Sequence, residues 1–246
     1  MVTAGLLWHF SPLPVQKPVI KSSGKRPGPP KAAPQKPNII FIMIDDMGWG
    51  ELNCYGNTFN NTFNETPNLD KLASQGLRFT QAYSAAICSP SRAALMTGQY
   101  PARIGITDFL DHKSTRYLDP AKYVTINEAL ASAGYHTGMI GKWHLDTDFT
   151  ENRGGPKAHG FQEVIATETK YIADGDYFGP YFFINTIQPE GENEFLVDRM
   201  NKEAVRYIQR NKEKPFYLYL SHYAVHSALD APKELVGRDV QAEIRR

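Results

Sequence analysis

Cysteine is nearly absent: the 246 residues hold two, Cys54 and Cys88. Two cysteines do not make a disulfide framework, and if Cys88 has chemistry to do, Cys54 has no partner, so oxidation says nothing of compartment. Long apolar runs are lacking as well, and none approaches the roughly 20 residues of a membrane span, so no span is expected. Met1 to Phe10 is apolar for a few residues but has neither a basic start nor a convincing cleavage site, and no signal peptide is read there. Net charge is close to nil, +1 at pH 7, which argues against nucleic acid as a main partner. Acid is missing altogether from residues 1–44, which carry six bases, Lys17, Lys21, Lys25, Arg26, Lys31 and Lys36. The rest of the chain is mildly acidic.

What is present begins with proline. Residues 11–37 hold Pro12, Pro14, Pro18, Pro27, Pro29, Pro30, Pro34 and Pro37 among lysines and small residues. Such a stretch cannot build a helix or bury much, so residues 1–37 are expected to be a disordered leader. Order is expected from Asn38. The run Ile39 to Ile44 is continuously apolar, the pattern of a central parallel strand covered on both faces. It stops at Asp45-Asp46. Two near-copies of a tetrad, Asn57 to Asn60 and Asn61 to Asn64, form a loop duplication too short to be a structural repeat.

Thr66-Pro67 predicts a helix start, with Gly76 in the left-handed position after its end. Leu77 to Tyr83 reads as a strand leading to Cys88, where Pro90 is set to open another helix. Thr125-Ile126-Asn127-Glu128 is a capping-box pattern for a helix that stops at Gly134. Tyr135 to Ile140 predicts a short strand, residues 145–190 are mostly loop-like, and Glu194 to Asn211 has helical spacing. Pro215 to Leu220 predicts another buried strand, and a helical piece follows from about Pro232. Strands alternating with helices imply an α/β fold with a mostly parallel central sheet and helices on both faces. Ligands of such sheets gather beyond the carboxyl ends of the strands.

The polar groups that could do chemistry lie at those ends. Asp45 and Asp46 follow the first strand, Lys142 and His144 a later one, and His226 the last. Adjacent aspartates repel unless a cation or solvent compensates. They suit Ca²⁺ or Mg²⁺, or an exposed turn with no function. Two carboxylates fall short of the about 6–8 oxygens calcium takes. Lys142 and His144 flank Trp143 and, on a strand, would point to one side as an anion clamp. His222 is a rival to His226, closer to the strand body. Cys88 at a helix start, with Arg92 one turn in, favours an anion or a nucleophile, though a buried structural cysteine is the plainer alternative. A cysteine-dependent phosphatase loop, Cys-x5-Arg, is excluded, because its arginine position holds Ala94.

Cys88-Ser89-Pro90-Ser91-Arg92-Ala93-Ala94-Leu95-Met96-Thr97-Gly98 resembles the sulfatase signature, Cys-x-Pro-Ser-Arg-x-x-Leu-x-Thr-Gly, at every fixed position. Gly134 to His144, Gly-Tyr-His-Thr-Gly-Met-Ile-Gly-Lys-Trp-His, is similar to the second signature of the same family. Asp45-Asp46 after an Asn-Ile-Ile-Phe-Ile strand, and Thr66-Pro67-Asn68-Leu69-Asp70, fit the same pattern. The likeness runs from Asn38 to about Pro232. It implies a formylglycine-dependent (type I) sulfatase with an alkaline-phosphatase-like fold, cleaving sulfate monoesters of saccharides or aryl alcohols. In that family the signature cysteine becomes formylglycine, and Cys-x-Pro-x-Arg is what the formylglycine-generating enzyme reads. A hydroxyl of the hydrated aldehyde at Cys88 would be the nucleophile, attacking sulfur in line. The second hydroxyl then loses its proton, the aldehyde reforms and sulfate leaves.

Carried over by resemblance, Asp45, Asp46 and the modified Cys88 would bind one Ca²⁺. Arg92 would hold the hydrate, Lys142 and His144 would contact sulfate and nucleophile, and His226 would protonate the leaving oxygen. Val225 and Ala228 stand where the family has prolines around that histidine. The family pattern continues with an Asp-Asn pair and a further lysine. No such segment occurs here, since Asp198 is followed by Arg199. Residues 38–246 are therefore expected to be the N-terminal part of a sulfatase catalytic domain, its C-terminal part missing. The resemblance also implies an exported protein. A phosphonate or phosphate monoester hydrolase on the same scaffold, or an inactive truncated fragment, shares these features.

Overall fold

A computed structural model describes residues 36–56, 64–111, 113–146, 153–169 and 177–236. Of the leader expected over residues 1–37, residues 1–35 lie outside them, as does most of the Asn57–Asn64 duplication. Four strands, β1 (Ile39–Met43), β2 (His136–Gly141), β3 (Glu163–Ile165) and β4 (Phe216–Ser221), form one parallel sheet in the order β1-β4-β2-β3. The helices are α1 (Pro67–Gln75), α2 (Cys88–Thr97), α3 (Pro101–Ile104), α4 (Ile126–Ser132) and α5 (Leu196–Asn211).

The sheet is built around β4, which lies between β1 and β2. Successive side chains of a strand point to opposite faces. Phe216, Leu218 and Leu220 accordingly enter one core with Leu196, Met200, Ala204 and Tyr207 of α5. Tyr217 and Tyr219 enter the other, with Ala93 and Met96 of α2, Ile104 of α3 and Trp143. Both faces are filled, which is why β4 reads as an unbroken apolar and aromatic run. Each fully buried aliphatic side chain of this kind contributes roughly 1.5–3 kcal/mol. Gly138 of β2 is a contact rather than a hinge: a Cβ there would lie 2.2 Å from the Tyr207 ring. The Tyr207 hydroxyl donates across the same gap to the His136 and Tyr217 carbonyls, at 3.0 and 3.1 Å.

Several expectations are corrected. The Ile39 to Ile44 run is not central. β1 is an edge strand among the described residues, with Ile40 46% and Ile42 54% exposed while Ile39, Phe41 and Met43 pack inward. A run apolar on both faces does not by itself report whether both are covered. Leu77 to Tyr83 is not a strand: it pairs with none among the described residues, and Leu77 and Tyr83 are exposed. β-propensity has no outlet without a partner edge. Gly76 is extended, φ −129°, ψ −161°, not left-handed. β3 was hidden in the loop-like stretch because it is only three residues long. The Thr125 capping box is present, with the Thr125 amide donating to Glu128 Oε2 at 2.8 Å, and Gly134 ends that segment at φ +86°. Residues 233–236 open a helical turn at Pro232, whose carbonyl accepts from the Leu235 and Val236 amides.

Candidate active site

Register brings the site together. Met43 of β1 and Gly141 of β2 both lie opposite Ser221 of β4, so three strands end at one level and their following residues converge. Gly141 is needed for that closeness: its φ is +101° and a Cβ would sit 2.0 Å from the Ser221 carbonyl. The Lys142 amide then donates to Ser221 O at 2.8 Å. The turn after β1 is pinned to the one after β4 by Asp45 N to Ala224 O, 3.0 Å, and Val225 N to Asp45 O, 2.8 Å.

At the centre lies a buried charge cluster. Arg92, 1% exposed, donates from Nη2 to Asp45 Oδ1 at 2.9 Å. Its Nη1 donates to Lys142 O at 2.9 Å, Ser221 Oγ at 2.6 Å and Tyr219 Oη at 3.3 Å. Lys142 Nζ, fully buried, donates to Asp45 Oδ2. Burial pushes the Asp45 carboxyl up, but the Arg92 and Lys142 charges and hydrogen bonds outweigh it and hold Asp45 below the usual carboxylate range.

The backbone of Leu110 links α2 to the residues after β2. Its amide donates to Ser89 Oγ at 3.1 Å, and its carbonyl lies 2.9 Å from His144 Nε2. A carbonyl only accepts, so Nε2 carries the proton and Nδ1 has a bare lone pair. That Nδ1 is buried and without a partner among the described residues. Burial, then the Lys142 charge, pushes His144 down to about 3, so the ring is neutral near pH 7.

The sequence-derived residues thus separate into groups. Asp45, Arg92 and Lys142 touch. His144 does not share a target with Lys142. Both lie past the end of β2, and His144 is left-handed at φ +54°, so strand alternation does not apply there. Cys88 is the first residue of α2, half-buried with a free thiol, one helical turn before Arg92. His226 joins Asp46, Nε2 to Oδ2 3.9 Å, at the rim. His222 is buried near the strand body and pushed down to about 4 by burial. Sequence reasoning missed Tyr219, Ser221, Leu110 and Glu168. Ser221 alone had a signal, as the residue following an apolar strand.

As a cation site, Asp45 and Asp46 offer hard oxygens, the right kind for Ca²⁺. Both Asp45 oxygens already meet protein cations, while Asp46 is exposed. Among the described residues no group of three His, Cys, Asp or Glu side chains gathers to hold a metal. The pair fits such an ion in kind and supplies only part of its shell. A groove of about 1290 Å³ along α5 lies elsewhere. Its Lys202 and Arg206 are already paired with Glu194 and Glu190.

A parallel α/β sheet with a buried cationic cluster at its strand ends and a cysteine opening the adjacent helix makes a scaffold suited to an anion. The sulfatase family model matches residues 37–244, and the chain belongs to that family. Human N-acetylgalactosamine-6-sulfatase is 34% identical over 225 residues, 83% of this chain and 42% of that protein. Mouse steryl-sulfatase is 30% identical over 87% of this chain and 46% of its own length. The crystal structure of Ps i-CgsB in complex with k-i-k-neocarrahexaose superposes with a TM-score of 0.67 at 31% identity, covering 81% of this chain and 48% of that one. The fold is alkaline-phosphatase-like. The chain spans less than half the length of these curated relatives.

Proposed function

We propose that this chain takes part in hydrolysing sulfate monoesters, with sulfated saccharides as the substrate class. The observation that carries this reading is the buried Arg92–Asp45–Lys142 cluster at the carboxyl ends of β1, β2 and β4, beside the helix that Cys88 opens. N-acetylgalactosamine-6-sulfatase and the carrahexaose complex among the relatives support a saccharide.

In this reading Cys88 is converted to formylglycine by the generating enzyme, which reads Cys88 to Arg92, and the aldehyde hydrate supplies an oxygen nucleophile where a thiol would not serve. Asp45, Asp46 and the oxygen at position 88 would hold Ca²⁺, which when bound supplies positive charge to a sulfate oxygen. Lys142 and Arg92 place fixed cations where anionic charge spreads in the transition state, in surroundings dry enough to strengthen them. His144, neutral with Nδ1 bare, accepts a proton at that nitrogen from a hydroxyl at position 88. His226, on the rim beside Asp46, gives a proton to the leaving alcohol oxygen.

The experiment is hydrolysis of 4-nitrophenyl sulfate and of phenyl phosphonate by the chain produced alongside the generating enzyme, with excess calcium. Faster release from the sulfate is expected. Preference for the phosphonate, or no release from either, contradicts the reading.

A further inference from the structure

We propose that Glu168 is a positioning residue for the sulfate-handling groups after β2. The inference rests on the function proposed above, but its geometry is independent of it. Glu168 is 3% exposed, lies three residues after β3, and makes no ion pair among the described residues. Its carboxylate instead collects the backbone of the neighbouring turn. Trp143 N donates to Oε1 and Oε2 at 3.1 and 3.0 Å, and His144 N donates to Oε1 at 2.6 Å. The one Tyr223 hydroxyl proton is shared between Oε2 at 2.8 Å and the Ala166 carbonyl at 3.0 Å.

The two backbone amides only donate and a carboxylate only accepts, while the Tyr223 hydroxyl shares its one proton between Oε2 and the Ala166 carbonyl. Hydrogen bonds to a charged acceptor are also the stronger kind. The work they do is specific. A non-glycine residue in the left-handed region, as His144 is at φ +54°, persists only when its surroundings over-determine it. Glu168 grips that residue's own amide and the preceding one. Fixing this turn sends Lys142 back to Asp45 and the His144 ring across to Leu110, leaving Nδ1 bare.

Glu168 also reaches the other side of the site. Tyr223 belongs to the segment after β4, where the His226 amide donates to Tyr223 O at 3.1 Å and Tyr177 Oη donates to the Tyr223 and His226 carbonyls, each at 2.9 Å. One buried carboxylate thus ties the loop bearing Lys142 and His144 to the loop bearing His226. It touches no reacting atom and acts through those residues.

The test compares the chain with Glu168→Gln and Glu168→Ala by amide hydrogen exchange and by kcat and KM for 4-nitrophenyl sulfate. The expected result is at least tenfold faster exchange at Trp143 and His144, with β4 amides still protected. Alongside it, kcat falls ~10–100-fold while KM moves little, with Gln retaining more activity than Ala. Where Ala fails to fold, Gln decides by the same readings. Unchanged exchange at Trp143 and His144 in a folded variant overturns the proposal, as does faster exchange with an unchanged kcat. If the unsubstituted chain shows no turnover, the functional reading fails by itself, and the exchange result alone supports or overturns the placement of the turn by Glu168.

Discussion

Two charge clusters in this molecule look alike on paper and differ in kind. Arg199, Lys202 and Arg206 of α5 pair with Glu203 of the same helix and with Glu190 and Glu194 ahead of it, three cations against three carboxylates, with Lys202, Arg206 and Glu190 51%, 43% and 39% exposed and Arg199, Glu194 and Glu203 8%, 7% and 11%. At the strand ends, Arg92, Lys142 and Asp45 are 1%, 0% and 5% exposed. The first cluster runs out to the surface, where water reaches Lys202, Arg206 and Glu190, and its charges balance one to one. The second sits where desolvation opposes every charge, and a packed apolar core there would hold the sheet as well or better. Charges kept buried at that cost, at the ligand end of a parallel sheet, fit the anion-handling role proposed for them.

Removing the shared carboxylate breaks the comparison most sharply. Asp45→Ala leaves Arg92 and Lys142 buried side by side without a counter-charge, and we expect a stability loss of ~3–5 kcal/mol in chemical denaturation. Acid separates the two clusters next. His144 and His222 are buried neutral, with folded values of about 3 and about 4 against about 6.5 in an unfolded chain. Their folded values are depressed, so the unfolded chain takes up protons first, and stability present above pH 6.5 is lost as pH falls toward those values. The α5 carboxylates, held low by their cation partners against burial, add losses only below their ordinary value of 4.5. From pH 6.5 to 5 the melting temperature should therefore fall through the histidines, each contributing about 2 kcal/mol. His222→Asn should flatten that part of the profile. The smallest effect belongs to the exposed rim of the α5 cluster: Glu190→Gln should leave the denaturation midpoint within error.

The part of this difference that was legible in the sequence follows from local chemistry. Asp45, Arg92 and Lys142 were placed at strand ends or a helix start by the apolar runs and by Pro90, and the residues after those runs do converge. The buried strand β4 and the Thr125 helix were legible for the same reason, since their patterns are local. Which groups touch was not legible. It depends on register between strands nearly 180 residues apart in the chain, as where Phe216 N reaches Asn38. Glu168 was invisible because two of its three partners are backbone amides, which leave no residue-type signature, and the third, Tyr223, is 55 residues away. His144 looked like a strand neighbour of Lys142 because alternation holds only until the chain turns left-handed. Leu77 to Tyr83 had strand composition and no edge to pair with, and Ile39 to Ile44 was apolar on both faces with one face bare. In each case the tertiary neighbour, not the propensity, decided.

In the proposed function Cys88 is the precursor of an oxygen nucleophile rather than a structural thiol. The most direct measurement is the mass of the peptide carrying residue 88, from the chain produced in a host containing the formylglycine-generating enzyme. The aldehyde or its hydrate is expected at that position. A peptide found only with an unmodified thiol would contradict the proposed function.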